Sequence, residues 1–196
     1  MMKRLLLSLV LSSVVIAHAA EQPRFARLDS QGFILMDTKP GGWDCVLDRQ
    51  SGLMWEAKTN SAGLHSRDNT FRWYRPDAGD NGGFPGHPGG PECRSLPCDT
   101  DAFVTEVNRT GWCGRHDWRL PTREELRSLV DYTIPYPGPT IDRDFFPHAL
   151  AQFYWSVNAS ADEPREAWGM GFAHGFDYAY DKSNRVYVRL VRDQKP

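Results

Sequence analysis

The sequence lacks any apolar segment long enough to cross a membrane. Its longest apolar run, Leu5–Ile16, falls short of the roughly 20 residues that a transmembrane helix needs. The run follows the basic residues Lys3 and Arg4 and precedes Ala17-His18-Ala19, an order typical of a cleaved secretory signal peptide. We therefore predict a signal peptide over residues 1–19, no transmembrane segment in the mature chain, and a periplasmic, secreted or cell-surface location.

An excess of positive charge is also lacking. The chain has 23 Lys and Arg against 25 Asp and Glu, and a formal net charge of −2. Loss of Lys3 and Arg4 with the signal peptide makes the mature chain more acidic still. Nucleic-acid-binding domains are usually basic, so we predict no nucleic-acid partner. The same balance disfavours a polyanionic ligand unless the basic side chains gather on one face.

The sequence contains no recognisable catalytic constellation. It has no Gly-x-Ser-x-Gly motif, and its mature histidines are scattered singly, without the one-turn pairing that holds a metal. His116 beside Asp117 is the strongest exception. Glu124 and Glu125 are adjacent in a predicted helix and point in different directions, so they cannot be the facing carboxylates of a glycosidase. We predict that the protein is not an enzyme.

What the sequence does have is an even number of cysteines, which in an exported chain indicates disulfides. Cys45, Cys93, Cys98 and Cys113 allow three pairings. The short Pro-containing loop between Cys93 and Cys98 can bring these two together, which leaves Cys45 to pair with Cys113. A four-cysteine zinc site is the alternative, and it is disfavoured because only one short spacing is present.

The organisation along the chain indicates a single domain. The mature chain of about 177 residues is long enough to bury one core and hardly long enough for two. We predict a lead-in over residues 20–44 and one domain over residues 45–193. Two apolar runs around a glycine-containing turn predict a β-hairpin over Cys45–Glu56. Residues 59–97, rich in Gly, Pro, Asn and Asp, predict a long loop region suited to function.

Two helices and four further strands are predicted after the loop region. Asp99–Arg109 is a helix that ends before Gly111, and the capping box of Thr122 and Glu125 begins a second helix over Thr122–Tyr132. Strands are predicted over Phe153–Val157, Ala167–Phe172, Phe176–Tyr180 and Arg185–Val191, the last three as an antiparallel meander. The fold class is therefore α+β.

Three landmarks of the sequence resemble the Lcl C-terminal domain family, named after the Legionella collagen-like protein. They are the hairpin Cys45–Glu56, the stretch Asp117-Trp118-Arg119-Leu120-Pro121-Thr122 with the helix that follows, and the closing Tyr187-Val188-Arg189-Leu190-Val191-Arg192. The resemblance implies a C-type-lectin-like fold, with two helices flanking a small, twisted, mainly antiparallel sheet and long loops facing a ligand. Many members carry a cysteine in the last strand, where this chain has Leu190, and this favours the Cys45–Cys113 pairing.

Candidate ligand-binding residues are aromatic and basic. Trp73 and Tyr74 stand between two arginines in the loop region and could form a stacking platform with charged edges. The alternative is that both rings cap the core beneath the loop. A second candidate surface is the late basic group, which consists of Lys182, Arg185, Arg189 and Arg192. The candidates are Arg72, Trp73, Tyr74, Arg75, Lys182 and Arg185.

Acidic residues in and after the loop region suggest a possible calcium site. The alternative is that the domain binds no cofactor. Their carboxylates and a nearby amide could supply oxygen ligands, but no EF-hand spacing is present, and acids at the start of a helix explain the cluster better. We predict no cofactor and keep calcium as the weaker hypothesis. The residues concerned are Asp80, Asp99 and Asp101, with Asp77 and Asn81 beside them.

Six further residues are assigned to structure. Arg119, between large apolar neighbours, is expected to lie against Asp131 or the polar edge of the sheet and to pair with a carboxylate. Glu125 is expected to cap its helix. The tryptophans next to apolar strands are expected to pack in the core. The set is Asp117, Trp118, Arg119, Pro121, Glu125 and Trp155.

These features lead to three hypotheses for function. The first is an exported, non-catalytic and adhesin-like binding module that recognises a glycan or a surface protein through loop residues. The second is a structural or assembly component of a bacterial surface appendage, for which a homotrimer is one admissible state. The third is an exported hydrolase, which would need acids or histidines clustered in a cleft.

Overall fold

The computed structural model describes residues 22–36, 42–77, 79–90, 93 and 96–194. The predicted signal peptide lies outside the described residues. Both helices and strands occur, so the predicted α+β class is confirmed. In chain order the elements are β1 (Phe25–Leu28), β2 (Cys45–Asp48), β3 (Leu53–Glu56), α1 (Thr100–Thr110), α2 (Arg123–Ser128), β4 (Phe153–Ala159), β5 (Glu166–Gly171), β6 (Phe176–Asp181) and β7 (Val191–Asp193).

The strands form two antiparallel sheets, where the sequence predicted one. The first has the order β1-β2-β3-β7 and the second the order β4-β5-β6. The predicted hairpin Cys45–Glu56 is confirmed, with Cys45 opposite Glu56 and Asp48 opposite Leu53. β1 comes from the lead-in and pairs with β2 along its whole length, an addition that the sequence did not predict.

The predicted meander is wrong in its last member. β5 and β6 pair as expected, but residues 185–191 do not pair with β6. Val186 forms a bridge with Phe71, Tyr187 forms one with Tyr154, and the chain then joins β3 of the first sheet as β7. The reason is that residues 188–192 are buried without interruption, and such a run needs packing on both sides rather than a place at a half-exposed edge.

Helix α1 begins and ends as the sequence predicts. The side chain of Asp99 accepts a hydrogen bond from the amide of Ala102, and Gly111 terminates the helix with a φ of 80°. Helix α2 has the predicted capping box, but it ends at Ser128 instead of Tyr132. The amide of Asp131 donates to the carbonyl of Thr140, and this bond draws the chain away from the helix axis.

Two apolar clusters form the core, and both predicted disulfides are present. Cys45 pairs with Cys113 inside the first cluster, and Cys93 pairs with Cys98 ahead of α1. The first cluster includes Phe71, Trp73, Phe103, Trp118 and Trp155, and the second includes Trp55, Leu126, Phe146, Tyr154 and Phe172.

Candidate functional site

The loop-region platform predicted from the sequence is not formed. Trp73 is fully buried, and its indole N–H donates to the carbonyl of Ser156 at 2.9 Å. Tyr74 is half-buried, and its backbone bonds to the hydroxyl of Thr100 through both N–H and C=O. Arg75 pairs with Asp80 at 2.9 Å, while Arg72 accompanies Tyr74 in the same extended segment. The rings therefore cap the core, which was the alternative interpretation.

The predicted late basic surface is likewise divided by burial. Lys182 is fully buried, Arg189 donates to the backbone carbonyl of Glu56 from inside the core, and Arg192 pairs with Asp117 at 2.6 Å. Of the group, Arg185 is exposed. The prediction was wrong for Lys182 because the turn that carries it, which is polar in sequence, is covered by the long loop.

The Lys182 ammonium group serves as an anchor for that loop. Its Nζ donates to the carbonyls of Asn81, Phe84 and Pro164 at 2.8, 2.7 and 2.6 Å, and it lies 4.5 Å from the centre of the Trp73 ring. Desolvation lowers the pKa of Lys182 to about 8. The three carbonyls and the aromatic face take the place of the solvent that this cation has lost.

We expect Lys182→Met to lower the free energy of unfolding by about 2 kcal/mol, because it leaves buried carbonyls without a donor. Proteolysis within residues 79–90 should accelerate as well. The exposed Arg143→Met is a matched control that also removes one cation. In the wild type, the Lys182 side-chain NMR signal should titrate near pH 8. An unchanged cleavage rate in Lys182→Met would show that the ammonium group does not hold the loop.

Two of the three acidic calcium candidates, Asp80 and Asp99, have protein partners of their own. Asp99 caps α1 and accepts from the amide of Gly89 at 2.6 Å, while Asp80 pairs with Arg75. Asp101 is exposed, and partial burial, with the charges of Asp99 and Asp77, raises its pKa. Within the described part of the chain, no three His, Cys, Asp or Glu side chains are grouped to hold a metal ion.

His116 and Asp117 are also engaged separately. The ring Nδ1 of His116 lies 2.7 Å from the carbonyl oxygen of Asn108, whereas Asp117 binds Arg192. The pair therefore does not share a site.

The residues assigned to structure make structural contacts, with one partner corrected. Arg119 forms two hydrogen bonds of 2.8 Å with Glu125 and one of 3.2 Å with Asp193. The suggested partner Asp131 is wrong, because its carboxylate accepts from Thr133 in a local turn. Glu125 also accepts from the amide of Thr122 at 2.7 Å and so completes the capping box.

The remaining members of that set pack around the same junction. The indole of Trp118 donates to the carbonyl of Trp112, and that of the fully buried Trp155 donates to the carbonyl of Phe71. The carbonyl of Pro121 accepts from the amide of Val157 at 2.8 Å. These bonds tie the stretch before α2 to both the first helix region and β4.

A buried ionic cluster was missed by the sequence interpretation. One oxygen of Glu56 accepts from Lys58 at 2.9 Å and lies 2.8 Å from Nδ1 of His65, and the other accepts from the amide of Leu190. Although burial raises the pKa of Glu56, the charge of Lys58 and these hydrogen bonds outweigh it and lower the pKa to about 2. His65 stacks on Trp112 at 3.6 Å between ring centres. The cluster is closed to solvent and therefore stabilises structure.

A surface with several exposed aromatic side chains lies on β6. Along this strand, Phe176, Tyr178 and Tyr180 are 65, 39 and 41% exposed, and the residues between them are more covered. Asp177 faces α2, where it pairs with Arg127 at 2.8 Å. Strand β6 thus leaves its aromatic side chains partly exposed, with Tyr178 and Tyr180 packed on one side against Phe153, while Asp177 faces α2. This is the reverse of the usual arrangement of a half-buried strand.

Small residues on β5 make room for these rings. Gly171, Gly169 and Ala167 lie opposite Phe176, Tyr178 and Tyr180 in the register. A Cβ atom added to Gly169 would stand 2.5 Å from the ring of Phe153, and one added to Gly171 would stand 2.9 Å from the ring of His174. Phe153 and His174 therefore rest directly on the sheet.

A cleft of about 320 Å³ opens beside these aromatic residues, and we call it the β6 cleft. The rings of Phe153 and Tyr178 are 4.4 Å apart on one side. The guanidinium group of Arg185 is fixed by a 2.8 Å bond to the carbonyl of Thr70. The lining side chains include Gln152, Phe153, His174, Tyr178, Tyr180 and Arg185.

Another cavity, of about 240 Å³, borders β1 and is less suited to a ligand. It has aromatic walls formed by Phe25, Trp43 and Phe145. The guanidinium group of Arg27 lies 4.5 Å from the centre of the Trp43 ring and 5.1 Å from that of Phe145. The aromatic faces of this cavity are already covered by the protein's own cation, whereas Phe176, Tyr178 and Tyr180 of β6 remain 65, 39 and 41% exposed.

Comparison with known proteins agrees with the resemblance seen in the sequence. The family model of the Lcl C-terminal domain matches residues 44–192, more than half of the chain, and this range contains the whole β6 cleft. No protein of curated function matches the chain. Among the described residues, no helix is long and apolar enough to cross a membrane.

Proposed function

Because the chain belongs to the Lcl C-terminal domain family, we propose that it is a non-catalytic binding module whose β6 cleft takes a glycan. The observation that carries this proposal is the reversed exposure of β6. Three aromatic side chains face solvent along one strand, while Asp177 of the same strand is held inward by Arg127. Clustered exposed aromatic side chains usually mark a binding surface.

The chemistry of the β6 cleft matches that of a sugar. A pyranose ring has a weakly polar C–H face and a rim of hydroxyl groups. Tyr178 and Tyr180 offer ring faces and hydroxyls, and Arg185 and Gln152 add polar groups at the edge. Ligand sites commonly combine apolar walls with a few such polar groups.

The lining of the cleft supports binding without turnover. Hydrolysis of a glycosidic bond generally requires two facing carboxylic acids. No Asp or Glu is among the described residues that line the β6 cleft. The ligand would therefore be held and released unchanged.

Export and a C-type-lectin-like fold complete the proposal. The two disulfides suit an oxidising compartment such as the periplasm or the cell surface, and the basic and apolar start of the sequence suits secretion. The α+β class and the long loop region are compatible with a C-type-lectin-like arrangement.

A second candidate is assembly into a surface appendage, and one observation favours it. Phe33, Ile34 and Met36, just after β1, are 71, 51 and 83% exposed. Apolar side chains exposed in this way can pack against a sister subunit. Light scattering separates the two functions: the triple change of these residues to Ser would dissociate an assembly and leave glycan binding intact.

The glycan proposal is tested on an array of immobilised glycans with Tyr178→Ala and Tyr180→Ala. Loss of one stacking ring removes on the order of 1.4 kcal/mol, so each variant should bind about tenfold more weakly than the wild type. Phe33→Ala is the matched control, because it also removes an exposed aromatic side chain but lies outside the cleft. Equal losses in all three variants, or none in the two tyrosine variants, would contradict a site on β6.

A further inference from the structure

We infer that the β6 cleft holds a single terminal sugar residue, with its face on a tyrosine ring and two neighbouring oxygens on Arg185. The inference rests on the proposed function and adds the part of the glycan that is recognised. The alternative is a length of chain lying along β6, with successive sugars stacked on Phe176, Tyr178 and Tyr180.

The orientation of the rings argues against a chain along the strand. A flat polysaccharide stacks on aromatic rings whose faces are nearly parallel. The planes of Tyr178 and Tyr180 make an angle of 85°, with ring centres 6.3 Å apart. These two rings form a corner, so a sugar that stacks on one meets the edge of the other.

The volume of the cleft also argues against a long sugar chain. Its volume of about 320 Å³ is at the lower end of the 300 to 1,000 Å³ range of small-molecule sites. Phe176 stacks on His174 at 5.2 Å and does not line the cleft, so the strand's first aromatic residue adds no further sugar subsite inside it. Such a volume is too small to hold a length of polysaccharide chain.

Arg185 supplies the polar half of the recognition. Its Nη2 donates to the carbonyl of Thr70 at 2.8 Å, and its Nε donates to the Thr70 hydroxyl at 3.4 Å. A guanidinium group has five N–H donors in a planar fork, and the two bonds to Thr70 use two of them. Two parallel N–H groups match two oxygens on adjacent carbons, which is how vicinal hydroxyls of a pyranose are arranged. Thr70 orients the fork before the ligand arrives.

A substitution at Gly171, which lines the cleft, tests the inference without removing an aromatic residue. Gly171 has ordinary strand geometry, and a Cβ there would press against the end of the flexible His174 side chain. Gly171→Ala should therefore move the imidazole into the cleft while the sheet stays intact. If a single sugar fills the cleft, this small intrusion should weaken binding at least fivefold.

The test uses titration calorimetry on the full domain with methyl glycosides of glucose, galactose, mannose and N-acetylglucosamine. The β-1,4-linked oligomers of glucose and N-acetylglucosamine, from two to six units, give the dependence on length. We expect at least one methyl glycoside to bind, and its oligomers to bind within about threefold of it. Arg185→Lys, which keeps the charge but loses the fork, should weaken binding at least tenfold, and Arg143→Lys should not.

The outcomes separate this inference from the proposed function. An affinity that rises tenfold or more from monomer to hexamer, and falls again in Phe176→Ala, would overturn the single-residue site while leaving glycan binding in place. Unchanged binding in Arg185→Lys would overturn the oxygen pairing. Failure of every sugar and every arrayed glycan to bind would overturn both proposals. A deoxy sugar that lacks one of the two paired oxygens should bind the wild type as weakly as the full sugar binds Arg185→Lys. If removal of that oxygen causes no further loss in Arg185→Lys, the result supports the pairing of Arg185 with this oxygen.

Discussion

Glu56→Gln should lower the free energy of unfolding at neutral pH by about 3 to 5 kcal/mol, because it leaves a buried ammonium group without a counter-charge. Lys58 is 5% exposed, and its ion pair with Glu56 spans 2.9 Å. The amide of Leu190 and the ring of His65 lose the same carboxylate. Denaturant unfolding of the two proteins at pH 7 measures the difference.

The same carboxylate makes the stability depend on acid pH in a defined window. The pKa of Glu56 is about 2 in the folded protein against an ordinary 4.5. The group therefore contributes stability that is fully present above pH 4.5 and is lost as the pH falls toward 2, by about 3 kcal/mol in all. The gap between wild type and Glu56→Gln should accordingly narrow over this interval.

Two further variants make this prediction specific. The exposed Glu163→Gln should leave both the stability and its pH profile almost unchanged. Glu56→Gln combined with Lys58→Met removes the uncompensated charge, so the double variant should be more stable than the sum of the single losses allows. A constant gap between pH 7 and pH 2.5, or strictly additive losses, would show that the cluster is not held together by charge.

The features that the sequence predicted correctly are set by residues close together in the chain. Thr122 and Glu125 stand one turn apart, and their reciprocal bonds of 3.1 and 2.7 Å form as the capping box requires. The spacing of Cys93 and Cys98 restricts their pairing in the same way. Such signals need no knowledge of what packs on top of them.

Lys182 shows why other assignments failed. It lies in a polar turn that reads as solvated, yet two of its acceptors, the carbonyls of Asn81 and Phe84, are 101 and 98 residues earlier in the chain. Lys182 is buried because the long loop folds back over it. This contact between distant segments cannot be predicted from the composition of the turn. The burial of Trp73, one of the two alternatives that the sequence left open, has the same origin, because this residue lies beneath the same loop.

The sequence did not predict the β6 cleft, although it contains part of the pattern that forms it. The alternation of aromatic residues with Asp177, Ala179 and Asp181 defines two faces of a strand. Hydrophobicity alone would bury the aromatic face. The choice between the faces is made by α2, which brings Arg127 and Arg123 within 2.8 and 3.2 Å of Asp177. An ion pair between distant segments thus favours the exposure of the aromatic face.

Removal of the Cys45–Cys113 disulfide is expected to have the second large effect. Cys45→Ala with Cys113→Ala opens a loop whose ends are 68 residues apart, and in the chain-entropy model this closure stabilises the fold by roughly 4 kcal/mol. Both cysteines are buried in the first core cluster, so the hairpin strand β2 and the end of α1 would lose their direct link. Calorimetric and denaturant unfolding measure the loss.

The second disulfide is the internal control for this argument. Cys93 and Cys98 are five positions apart, and closure of so short a loop stabilises by only about 2 kcal/mol in the same model. Cys93→Ala with Cys98→Ala should therefore cost about half as much as the long-loop pair. If the two double variants lost equal stability, loop closure would not be the source, and contacts of the sulfur atoms would have to account for the loss.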